Sequence, residues 1–164
     1  MVSNQPVTVV SGEPLSQAEI EAFVAAWYRK LDMHAPAEEL LPLVSEQCLV
    51  IQVMEECLEM HFPEGRLNGA DEFRRWYEGV IRLFFDEVHT VTKVSVSRQT
   101  DRALVDVVVN WQARRWRPPA PRSEWLGFDA YQQWEMIRSP SSGQPVILRY
   151  VVNELRPMPG SKPL

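Results

Sequence analysis

The order of hydrophobic patterns along these 164 residues predicts an α+β fold, a cone in which a curved, mostly antiparallel sheet wraps N-terminal helices around a pocket. Two observations carry the prediction. A pair of strongly amphipathic helical patterns flanks a short hydrophobic segment, and four long alternating segments then run to the C-terminal end. The periods of 3.6 and 2 distinguish a helix with one apolar face from a strand with one.

Ile20, Phe23, Val24, Trp27, Tyr28 and Leu31 recur at the spacing that gathers them on one helical face. Ser16 followed by Glu19 forms a capping box, in which hydroxyl and carboxylate satisfy N–H groups that the first turn leaves unpaired. Ala35–Val44 reads as a short second helix with Pro36 in its first turn and Leu40, Leu41 and Val44 facing inward. Cys48–Met54 and Cys57–Phe62 read as short strands. A third helix follows Asn68 as N-cap, with Asp71 and Glu72 at the positive end of its dipole and Phe73, Trp76, Tyr77, Val80, Ile81 and Phe84 as its stripe.

Glu87–Arg98, Arg102–Arg117, Phe128–Arg138 and Val146–Leu155 are the four long strands, rich in Val, Trp and Tyr. Turn chemistry at Gln99–Asp101 and Ser139–Gly143 separates the outer pairs, and Pro118–Arg122, ringed by Trp111, Trp116, Trp125 and Trp134, suggests a flap over one edge. Alternation splits the second strand into an apolar row, Val105, Val107, Val109 and Trp111, and a mixed row that includes Asn110 and Gln112. The simplest arrangement buries the valine row beneath the helices. A pocket-forming arrangement instead turns Asn110 and Gln112 toward a cavity.

Composition is that of one soluble globular domain: 45% hydrophobic and 24% charged residues. Residues 16–156 form that domain, with 1–15 and 157–164 expected as poorly ordered ends. A net charge of −5 argues against a nucleic-acid partner, since phosphate binding draws on clustered Lys and Arg. The one basic run, Arg114–Arg117 with Arg122, reads as a solvated strand end. No apolar stretch approaches the ~20 residues of a membrane span, and Met1–Gly12 lacks the form of a signal peptide, so a cytoplasmic location is expected. Cys48 and Cys57 are expected as reduced core thiols. Three scattered histidines in no ligand spacing predict no metal, and the absence of phosphate-loop and nucleophile-elbow motifs predicts no nucleotide cofactor and no acyl-enzyme. His61 reads as an exposed loop residue, His34 as a partner of the helix carbonyls before it, and Glu55 and Glu56 as a turn-exposed pair.

The element order, with the stretches Phe23–Leu43, Asn68–Phe84 and His89–Val96, resembles the NTF2-like superfamily and within it the SnoaL-like and ketosteroid-isomerase-like branch, over about residues 16–156. The resemblance implies a cystatin-like cone, a pocket between helix and sheet, and a homodimer formed through the sheet. In ketosteroid isomerase the general base is an Asp on the first strand, and the matching position is Gln52; the second acid falls near Gln132 or Gln133. Scytalone dehydratase places a catalytic His at the start of the strand after the third helix, where this chain has His89. Its acidic partner belongs on the first helix, among Tyr28, Arg29 and Asp32, with Arg29 at the matching position. The small subunits of ring-hydroxylating oxygenases share a His followed by alternating valines, here His89, Val91, Val94 and Val96, and that branch contributes structure rather than chemistry.

Two functional expectations follow. One is a pocket for a small, largely apolar molecule, with His89 as acid/base, Tyr28, Gln52, Asn110, Gln132 and Trp134 as contacts, and isomerisation or dehydration without a cofactor. The other is a non-catalytic homodimeric module or accessory subunit.

Overall fold

The computed structural model describes residues 13–45, the backbone of Val50–Gln52, and residues 66–164. Cys48, Glu55, Glu56, Cys57, His61, the strand expected at Cys57–Phe62 and the side chain of Gln52 lie outside the described residues. The helices are α1 (Gln17–Asp32), α2 (Ala37–Leu40) and α3 (Gly69–Leu83). The strands are β1 (Val50–Gln52), β2 (Arg66–Asn68), β3 (Phe84–Arg98), β4 (Ala103–Arg115), β5 (Glu124–Arg138) and β6 (Pro145–Pro157). One six-stranded sheet runs in the order β2-β1-β6-β5-β4-β3, antiparallel except where β1 meets β6.

Helix α1 starts as its sequence dictates. The Ser16 hydroxyl accepts from the Glu19 N–H at 3.0 Å, and the Glu19 carboxylate accepts from the Ser16 N–H at 3.2 Å. The expected helix over Ala35–Val44 breaks into α2 and a 3₁₀ turn, Leu41–Leu43, with Pro36 as N-cap rather than inside the first turn. Pro42 explains the break, because it has no N–H to donate and its ring crowds the preceding turn. At α3 the Asn68 side chain makes no cap; its backbone N–H donates instead to Glu72 Oε2 at 2.9 Å.

The valine row lies beneath the helices. Val105, Val107 and Val109 are buried against Ile20, Val24, Trp27 and Phe73 in one core cluster. Strand β5 starts four residues before the expected Phe128, and Gly127 hid the extension. A Cβ there would meet the Trp125 ring at 2.6 Å and Met158 Sδ at 2.8 Å, so the residue that breaks the strand pattern makes room for an indole.

The basic run and the C-terminal segment also differ from expectation, and one contact accounts for both. Arg115 is buried and its guanidinium donates to Glu124 Oε2 at 2.9 Å and to the Pro163 carbonyl at 3.0 Å. Residues 157–164 are thereby docked: the Met158 N–H reaches the Gly127 carbonyl, the Lys162 N–H reaches the Trp125 carbonyl, and Leu164 packs on the Phe84, Leu126 and Phe128 cluster.

Phe73 is fully buried between Trp27, Trp76 and Tyr77. Phe73→Ala is expected to cost about 3–5 kcal/mol in urea unfolding, the range for an aromatic ring removed from a packed core. Glu19 serves both the capping box and a bidentate pair with Arg138, whose two nitrogens each lie 2.9 Å from one carboxylate oxygen. The Arg138 hydrogen bonds, then the Ser16 backbone, hold its pKa at about 2 against an ordinary 4.5. A carboxylate whose folded value is depressed adds stability in full above its unfolded pKa and loses it as pH falls toward the folded value. Glu19→Gln is therefore expected to lower the melting temperature at pH 7 and to converge on the parent protein between pH 4.5 and about 2.

Candidate active site

A cavity opens between the end of α1, one face of α3 and the valine face of the sheet. It offers about 110 Å³ to the centres of water-sized molecules, within about 770 Å³ of unfilled space that includes its mouth. That is room for a small organic molecule, since one water needs roughly 10–15 Å³ on the former measure. The wall is largely apolar and aromatic, from Leu31, Trp76, Val80, Phe84, Val109, Trp111 and Leu155, and its polar members are Tyr77, Glu87, His89, Gln132 and Tyr150. No Lys or Arg lines it among the described residues.

His89 and the last residue of α1 form the first polar unit. The His89 Nδ1 lies 2.6 Å from Asp32 Oδ1, and the His89 backbone N–H reaches both carboxylate oxygens, at 3.0 and 3.1 Å. A carboxylate accepts and does not donate, so the hydrogen-bond network assigns the ring proton to Nδ1 and leaves the lone pair on Nε2. Tyr28 stacks on the imidazole with centroids 4.7 Å apart, and the His89 side chain is 10% exposed. An imidazole oriented by a carboxylate, backed by a ring and lining a cavity is arranged to take a proton. The acid that orients it is Asp32, one turn beyond the expected position at Arg29.

The second unit centres on Gln132. Its Oε1 accepts from Trp134 Nε1 and from the Tyr28 hydroxyl, each at 2.9 Å. An indole nitrogen only donates, so the contact fixes the amide orientation and turns its NH₂ away from both partners. Tyr28, its proton committed to Gln132, accepts from the Tyr150 hydroxyl at 3.4 Å. Burial pushes Tyr28 well above its ordinary 10 and Tyr150 up to about 12; burial, and then the charge of Glu87, raises Tyr77 to about 12. All three keep their protons through the neutral range. Trp76 adds a buried indole N–H with no partner among the described residues.

The third unit was not visible in the sequence. Glu87 is buried, with Oε1 2.9 Å from His34 Nε2 and Oε2 accepting from Trp111 Nε1 at 2.9 Å. His34 meets the carbonyls of α1 as expected, through its backbone N–H, which donates to Leu31. Its ring reaches inward to Glu87.

The structure thus brings His89 and Gln132 to the cavity wall and sets Tyr28 and Trp134 behind them as supports. Asn110 stands elsewhere: its amide donates to Asp129 Oδ1 at 2.9 Å and contacts Met158 Sδ, on the row opposite the valines. The backbone of Gln52 pairs with Arg66 and Val151. Among the described residues no group of three or more His, Cys, Asp or Glu is placed to hold a metal ion, and no helix is long and apolar enough to cross a membrane. Gln132→Leu removes the acceptor of two buried donors and is expected to cost roughly 1–3 kcal/mol per orphaned donor in urea unfolding, whereas a loss under 1 kcal/mol on that scale would show the network to be dispensable.

No family model matches the sequence, and neither does any curated protein. Solved structures do. A protein assigned as an aromatic ring hydroxylase from Novosphingobium aromaticivorans superposes with a TM-score of 0.68 at 14% identity, covering 86% of this chain and 92% of that one. One assigned as a scytalone dehydratase from the same organism gives 0.62 at 20% identity over 90% and 91% of the two chains. One assigned as a dehydratase of the NTF2-like family from Streptomyces avermitilis gives 0.63 at 16% identity over 86% and 94%. At these identities the likeness is one of architecture, and the chain has the NTF2-like fold.

Proposed function

We propose that the chain is an acid/base enzyme that holds a small, uncharged, largely apolar molecule between α3 and the sheet and removes a proton from it with His89 Nε2. The observation that carries this reading is the 2.6 Å pair between His89 and Asp32 at the wall of an aromatic cavity. The carboxylate fixes the tautomer and steadies the imidazolium that forms, the pairing that lets an imidazole act as a general base near neutral pH. The reaction class it supports is isomerisation or elimination by proton transfer, in which the side chains themselves move the proton. The two structural neighbours assigned as dehydratases are consistent with that class.

The charge of the wall supports an uncharged ligand. Among the described residues no Lys or Arg lines it, so a carboxylate ligand would find no counter-charge in a poorly solvated site. The Gln132 amide and the Trp76 N–H are the donors on hand for a ligand oxygen, and donors aimed at a carbonyl would favour the enolate-like charge that C–H removal creates.

Benzylacetone, an aryl ketone with exchangeable hydrogens next to its carbonyl, tests the reading in D₂O by proton NMR. The protein is expected to accelerate exchange, His89→Gln to lower the rate by about 10²–10⁴-fold with little change in benzylacetone binding, and Asp32→Asn to lower it less. Hydrocinnamate, the carboxylate of similar shape, is expected to bind more weakly. Exchange by His89→Gln at the parent rate would end the assignment of His89 as base.

A further inference from the structure

Glu87 has no part in the proton transfer as read so far, and a buried carboxylate in a cavity wall calls for a reason. Its side chain is 4% exposed while that of its partner His34 is 28% exposed, so the pair connects the cavity wall to solvent. His34 occupies the residue after the C-cap of α1, where its N–H bonds Leu31 and the Ala35 N–H bonds Lys30 in the helix-ending arrangement that glycine ordinarily serves. It does so at φ +50°, and Asp86, beside Glu87, sits at φ +51°. These are the two non-glycine residues with positive φ among the described residues; one belongs to this pair and the other adjoins it. Backbone conformations costing on the order of 1–3 kcal/mol each concentrate where a geometry is needed for function.

We propose that Glu87 and His34 form a second acid/base pair of the same cavity, so that the site serves elimination, with Glu87 delivering a proton to the departing group while His89 takes one from carbon. The inference rests on the reading of His89 as base. His89 Nε2 takes the C–H proton, the C–H electrons become the new C=C bond, and the C–O bond breaks with its electrons on oxygen. That oxygen takes the Glu87 carboxyl proton and departs as water. Glu87 regains a proton from His34, whose ring exchanges with solvent, and His89 releases its own to water. Each Glu87 oxygen engages one donor, His34 or Trp111, and retains a second lone pair on which that proton can reside. Glu87 and His89 are two apart on β3 and both line the cavity, and Trp111 joins them: its indole N–H binds Glu87 and its ring lies 6.5 Å from that of His89.

The aldol of acetone and benzaldehyde separates the two roles, because its C–H exchange in D₂O needs only the base while its conversion to benzylideneacetone needs base and acid. The parent protein is expected to accelerate both. Glu87→Gln, which keeps the shape and the acceptor for Trp111, is expected to lower elimination by about 10²-fold or more relative to its own exchange rate. His34→Gln, a change at a partly exposed ring, is expected to retain exchange and to slow elimination by less than the ~10²-fold of Glu87→Gln, while His89→Gln loses both. Elimination at the parent rate in both Glu87→Gln and His34→Gln would overturn the proposal, as would loss of exchange and elimination together in Glu87→Gln with the fold intact by circular dichroism. A parent protein that exchanges but does not eliminate defeats this inference and leaves His89 as base. One that does neither defeats both.

Discussion

Asp32 sits where an α-helix least tolerates an acid. As the last residue of α1 it faces the negative end of the helix dipole, a placement that costs a few tenths to about 1 kcal/mol. The structure offsets this with donors from one residue of β3: the His89 backbone N–H shared by both oxygens and the His89 ring. That contact does more than satisfy a carboxylate. It ties the end of the longest helix to the strand that carries the candidate base, sets the tautomer of the base, and thereby fixes which ring nitrogen remains for the cavity. The stacking of Tyr28 on the same ring, and the hand-off from Tyr28 to Gln132 and Trp134, continue the tie from helix to the centre of the sheet.

Much of this was legible in the residues and some was not, for physical reasons. The capping box at Ser16 and Glu19, the stripe of α1 and the burial of Val105, Val107 and Val109 follow from local spacing, which is why they were readable. The partner of His89 was not, because Arg29 and Asp32 lie one turn apart on one helix face, and only the way α1 meets β3 decides which arrives. Glu87 escaped notice for a related reason. It lies in an irregular stretch, where the register of β3 against β4 shifts between Phe85 and Val88, so simple alternation says nothing about its direction. The start of β5 was hidden by Gly127, whose missing side chain is space for an indole that arrives from tertiary packing.

The placement of charge suits an amide at Gln132. Gln132 accepts from two buried neutral donors, an indole and a phenol, and a neutral acceptor does that without burying a charge that needs its own counter-ion. Among the described residues that line the cavity, the histidine and the carboxylate lie on one side, at the junction of α1 and β3, and the other polar members are an amide and phenols. The buried tyrosines reinforce the division, since burial keeps Tyr28, Tyr77 and Tyr150 protonated and able to donate.

At that junction the two histidine–carboxylate pairs form a crossed pattern. Asp32-Met33-His34 at the end of the helix meets Glu87-Val88-His89 on the strand, with Asp32 on His89 and His34 on Glu87, acid to base in one pair and base to acid in the other. The intervening residues point outward, Met33 at 75% exposure and Val88 at 54%, and for Val88 this follows from the alternation of side chains along β3. Such a pattern holds two imidazoles and two carboxylates close together, with each carboxylate on an imidazole partner. It also explains the left-handed turn at His34. A regular exit from α1 would carry that residue away from β3, and the left-handed conformation keeps both ends of Asp32-Met33-His34 on the same strand. The fold accepts a conformation that glycine would adopt more easily because the side chain there, unlike that of glycine, has a partner to reach.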